Sequence, residues 1–61
     1  MLDQLQTRRA FHASQAALNR RFADENEARG MEVFAAQHRA LAIREQRKAN
    51  VLTLALREMA S

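Results

Sequence analysis

Cysteine, proline, tryptophan and tyrosine are absent from the 61 residues, and glycine occurs once, at Gly30. Without cysteine the chain has no disulfide framework and no thiolate metal site. For a domain this small, oligomerisation or docking onto a partner is the remaining support. With no proline and one glycine, only the region around Gly30 punctuates the sequence. β-Branched residues are sparse (Thr7, Val33, Ile43, Val51, Thr53), so no strand pair is legible. The longest apolar stretch, Val51 to Leu56, is interrupted by Thr53 and is far too short to span a bilayer. The first residues, Met1-Leu2-Asp3-Gln4, form neither a basic n-region nor an apolar h-region. A water-soluble, cytoplasmic protein is therefore expected.

What is present favours helix. Ala, Leu, Gln, Glu and Arg dominate, and all are good helix formers. The hydrophobic fraction of 48% overstates the core, because 13 of those residues are alanine and only 16 are Leu, Ile, Val, Phe or Met. The net charge of +3 rests on nine arginines and one lysine. Arginine forks bind carboxylates and phosphates, but an Ala- and Arg-rich composition is also that of GC-rich genomes.

The expected fold is all-α: one domain, residues 1–61, folded as an antiparallel two-helix hairpin. Helix 1 is placed at about residues 3–29 and helix 2 at about 31–60, with the turn near Gly30. Asp3, with Gln6 three residues on, suits the start of the first helix as a capping box. Gly30 suits a left-handed position just past its end, and Glu32 the positive end of the second helix. Two other readings stay open. Asp24-x-x-Glu27 could cap a new helix, since the acidic run Asp24, Glu25, Glu27 suits a helix start better than a helix end. One continuous helix would carry Gly30 at a cost of about 1 kcal/mol. Glu25 and Arg29 are spaced for a supporting i,i+4 ion pair.

Helical spacing puts Phe34, His38, Leu41, Glu45, Leu52, Leu56 and Met59 on one stripe of the second helix. A second stripe holds Val33, Ala36, Ala40, Ile43, Val51 and Leu54. Arg39, Gln46, Asn50, Thr53 and Arg57 read as the solvent side. On the first helix Phe11, Leu18 and Phe22 share a face, roughly opposite Leu2, Leu5, Ala13, Ala16 and Ala23. An antiparallel hairpin could set Phe22 near Phe34 and Leu41, with Phe11 or Leu5 near Leu52 and Met59. Two apolar stripes on one helix ask for more than one neighbour, so the hairpin is expected to complete a helical bundle as a homodimer or with a partner. The belt Arg44-Glu45-Gln46-Arg47-Lys48 is either an exposed girdle or a polar contact that fixes register.

No chemistry-bearing constellation is visible. His12 and His38 are the only groups that titrate near neutral pH, and neither stands in a ligand-spaced cluster. Ser14 and Ser61 have no local catalytic partners, and no glycine-rich phosphate loop exists. Neither a metal, a cofactor nor an enzymatic activity is expected. Arg9 and Arg20 lie on one face, about 16 Å apart along an ideal helix, so Arg8, Arg9, Arg20 and Arg21 form a candidate phosphate-binding set. Against it stand a modest charge and the lack of Tyr and Trp for base stacking.

In length and layout, and in its Ala28-Arg29-Gly30 turn, the chain resembles two kinds of small helical hairpin. One is the Rop-type plasmid regulator, a dimeric four-helix bundle that binds paired RNA loops. The other is the YscE-like co-chaperone of type III secretion. Neither carries a motif that transfers residue roles to this sequence. The expectation is a non-enzymatic protein-interaction module of bacterial or phage type: an adaptor, co-chaperone, inhibitor or assembly subunit. Its anchors would be Phe11, Leu18, Phe22, Phe34, Leu41, Ile43, Leu52 and Met59. The alternative is a Rop-like RNA-binding homodimer that uses the four arginines.

Overall fold

The computed structural model describes residues 2–60. Two helices, α1 (Leu2–Ala28) and α2 (Glu32–Ala60), pack antiparallel along their length. The resulting rod measures 46 × 14 × 12 Å between Cα extremes. No strand occurs among the described residues. The hairpin expected from the sequence is thus the fold of the chain.

The turn is a Schellman motif. Gly30 adopts φ 77°, the left-handed conformation that only glycine takes without a steric cost. Its N–H donates to the Glu27 carbonyl at 3.0 Å, and the Met31 N–H donates to the Asn26 carbonyl at 2.8 Å. Two carbonyls at the end of α1 are thereby satisfied. Met31 then hands the chain to α2, its carbonyl accepting from Ala35 N–H at 3.0 Å. The acidic run 24–27 therefore ends a helix instead of starting one. Its repulsion from the negative helix terminus is offset from α2: Arg39 Nη2 hydrogen-bonds the Glu27 carboxylate and lies 3.6 Å from Asp24.

Two local expectations change. α1 already includes Leu2, so Asp3 sits within the first turn and its carbonyl accepts from Thr7 Oγ1 at 2.8 Å. Glu25 and Arg29 form no ion pair among the described residues, although the Arg29 N–H still donates to the Glu25 carbonyl at 3.2 Å.

The larger surprise is what joins the helices. Among the described residues the buried apolar ones are all alanines: Ala16 and Ala23 on α1, and Ala35, Ala42 and Ala49 on α2. They recur every seventh residue, the repeat that keeps one seam facing a partner helix. A methyl at each contact lets the axes approach toward the short end of the usual range of about 8–10 Å. Beside this seam runs a second one, in which Leu5, His12, Asn19 and Asn26 of α1 and His38, Glu45 and Leu52 of α2 are half-buried. Two interhelical bonds fix its register. Asn19 pairs with His38, and seven residues back along α1 and seven on along α2 His12 pairs with Glu45. The same step carried on brings Leu5 level with Leu52.

The hairpin's interface therefore takes only the His38, Glu45 and Leu52 edge of the expected stripe and leaves Phe34, Leu41 and Met59 exposed. α1 meets α2 between the Phe34–Met59 stripe and the side that had read as solvent. Gln46 and Thr53, assigned to solvent from the sequence, are half-buried as a result, and Thr53 Oγ1 returns its hydrogen to the Ala49 carbonyl at 2.9 Å.

Candidate interaction surface

Seven of the eight expected anchors flank the hairpin on one side, and six of these are exposed. Phe11, Leu18 and Phe22 project from α1, and Phe34, Leu41 and Met59 from α2; Phe11 is 57% and Phe34 50% accessible. Leu52 belongs to the same side and is half-buried. Contacts tie the two rows together. The Phe22 ring lies 5.4 Å from His38 of α2, and Phe11 stacks edge-on against His12 at 5.3 Å. His12 in turn meets Glu45 of α2. The flank is therefore one surface made by both helices, apolar at its margins, with a polar strip along the groove between them.

That strip is internally satisfied. His12 Nδ1–H donates to one carboxylate oxygen of Glu45, and Lys48 Nζ donates to the other at 3.4 Å. The His12 bond, with help from Lys48, holds the Glu45 carboxyl below its ordinary value of 4.5, against the opposing effect of desolvation. His38 Nδ1–H donates to Asn19 Oδ1 at 3.0 Å, while Asn19 Nδ2 donates to the Gln15 carbonyl at 2.9 Å. No buried side-chain polar atom lacks a partner among the described residues. Sequence reading missed these bonds because it compared His38 with Glu45 on one helix. The signal was present: His12 and Asn19, like His38 and Glu45, are seven apart and one helical step from the alanine heptads.

Ile43 stands apart from the other seven anchors. At about 100° per residue it lies some 160° around α2 from Leu41. It lines an open groove on the opposite flank with Arg20, Asp24, Arg39 and Ala42. With Val33, Val51 and Leu54 it forms a second exposed stripe on the outer side of α2, Val33 being 71% accessible.

The four candidate phosphate ligands do not converge. Arg9 and Arg20 share a face of α1, but Arg8 and Arg21 stand about 100° to either side of it. Arg20 Nη1 is turned toward Gln46 Oε1 at 3.4 Å. Arg8 instead lines an open groove with His12, Arg47, Lys48, Val51 and Leu52. Among the described residues no three His, Asp or Glu side chains gather as metal ligands, and no helix is long and apolar enough to cross a membrane.

No family model, no curated protein and no solved structure matches this chain.

Proposed function

We propose that the protein is a non-enzymatic helical interaction module whose Phe11–Phe22 and Phe34–Met59 flank completes a helical bundle with a further pair of helices. One observation carries this reading. The hairpin closes on alanine methyls and leaves its phenylalanines and most of its large aliphatic side chains at the surface. Burying a Leu or Phe is worth about 1.5–3 kcal/mol and an alanine methyl only about 0.8. Most of the available hydrophobic free energy is therefore still to be gained. The polar strip supports the same reading, because groups that already satisfy one another can be covered without leaving donors or acceptors unpaired.

The test compares Leu41→Asp with Arg57→Ala. Leu41→Asp should abolish assembly in sedimentation or light scattering, and Arg57→Ala should leave it unchanged. Equal effects would refute the assignment of the flank. Because the chain lacks Trp and Tyr, strong 260 nm absorbance in the purified protein would report bound nucleic acid and count against it too.

A further inference from the structure

We infer that the occupant of the apolar flank is a second copy of this chain, laid antiparallel across it by a two-fold axis at the level of Leu41. This deepens the proposed function and rests on it.

Area is the first argument. The isolated hairpin exposes 4763 Å². A compact folded chain of its 7.0 kDa mass would expose about 4,000 Å². The excess, about 700 Å², is close to the roughly 800 Å² that each partner contributes to a stable interface. A second hairpin of this size is large enough to cover that excess.

Symmetry is the second. Phe11 and Phe22 are eleven residues apart on one face of α1, and their midpoint falls between Ala16 and Ala17. The Asn19–His38 register places Leu41 level with Ala16. An axis through that level sets Phe22 of one copy opposite Phe11 of the other, at both ends at once. It also brings the two Leu41 side chains together at the centre. An isologous interface needs such self-complementarity.

Charge decides the direction. Residues 22–36, around the turn, carry four carboxylates against one arginine, a net of −3. The remainder carries nine cations against three acids, a net of +6. Parallel packing would set the two acidic turns side by side. The antiparallel axis instead brings the acidic turn of each copy to the basic far end of the other, with Glu25 of one copy at the level of Arg8 of its partner. Complementary fields of this kind select orientation more than they add affinity.

The experiment uses the whole chain, which has no native cysteine, with a spin label on Arg29→Cys beside the turn. Wild-type protein should sediment at twice 7.0 kDa. The two labels should lie about 38 Å apart along the bundle, from 1.5 Å per residue on either side of the axis. Leu41→Asp should give monomers and Ile43→Asp should not. A dimer with labels within about 20 Å, too near for the antiparallel rise, overturns the orientation and leaves the flank assignment standing. A monomer whose flank still binds a hydrophobic dye, with Leu41→Asp reducing the binding, overturns the second copy but not the interaction surface. A dimer insensitive to Leu41→Asp overturns both.

Discussion

His12 of α1 and Glu45 of α2 form a hydrogen-bonded pair across the hairpin, with Lys48 on the second carboxylate oxygen at 3.4 Å. A titratable polar link beside an alanine seam has consequences for acid stability. The Glu45 carboxyl titrates below its ordinary 4.5 because His12, and secondarily Lys48, favour its ionised form. A depressed carboxylate pKa means that the unfolded state binds the proton more readily. The stabilisation from Glu45 is therefore complete above the ordinary carboxylate value and is lost as pH falls through the lower folded value. Helicity followed by circular dichroism from neutral pH to about pH 3 should decline more steeply for wild type than for Glu45→Gln, whose residue cannot titrate. Parallel curves would show that the pair does not contribute to folding.

The alanine seam makes an opposite kind of prediction, in which adding apolar bulk weakens the protein. Ala16 is fully buried where α1 meets α2. Leucine there would force the axes apart and disturb the flanking Asn19–His38 and His12–Glu45 bonds. Overpacking typically costs about 1–3 kcal/mol. Ala16→Leu should lower the urea midpoint accordingly. Ala17→Leu, one residue on and exposed, should leave it nearly unchanged.

These residues also show what the sequence could and could not reveal. Gly30 marked the turn because only one residue in the chain adopts a positive φ without strain, so the hairpin was legible. The side of α2 that α1 occupies was not. Hydrophobicity ranks Phe34, Leu41 and Leu52 above Ala35, Ala42 and Ala49, so a stripe drawn by hydrophobicity passes beside the true seam. Helix approach is decided by side-chain size as well as by hydrophobicity, and small residues win where two helices pack closely. The four arginines are spread around α1 by the same helical geometry. Arg9 and Arg20 share a face, but chain neighbours such as Arg8 and Arg9 diverge by about 100°.

Arg39 tests how the acidic end of α1 is tolerated. Its guanidinium serves both Glu27 and Asp24, and all three side chains are largely exposed. Water and salt screen such contacts, so the network should be worth no more than about 1 kcal/mol. Arg39→Ala should lower the melting temperature slightly at low ionic strength. The difference from wild type should shrink in high salt, where surface charges are screened beyond about 3 Å at 1 M. A salt-independent loss would mean that Arg39 acts through packing of its aliphatic stem.

Gly30 offers the cleanest separation of backbone from packing effects. A Cβ built on it meets nothing within 4 Å, yet φ is +77°. Any loss on substitution is thus conformational and not steric contact with the rest of the hairpin. Holding an L-residue in the left-handed region costs about 1–2 kcal/mol, and asparagine tolerates it better than alanine. Gly30→Ala should therefore destabilise the hairpin by about that amount, and Gly30→Asn by less. Both variants should keep the assembly state of wild type, because the turn lies beyond the Phe11–Phe22 span that the proposed two-fold axis pairs. If Gly30→Ala instead gained stability and doubled its length in small-angle scattering, the chain would have straightened into one helix through residues 29–31.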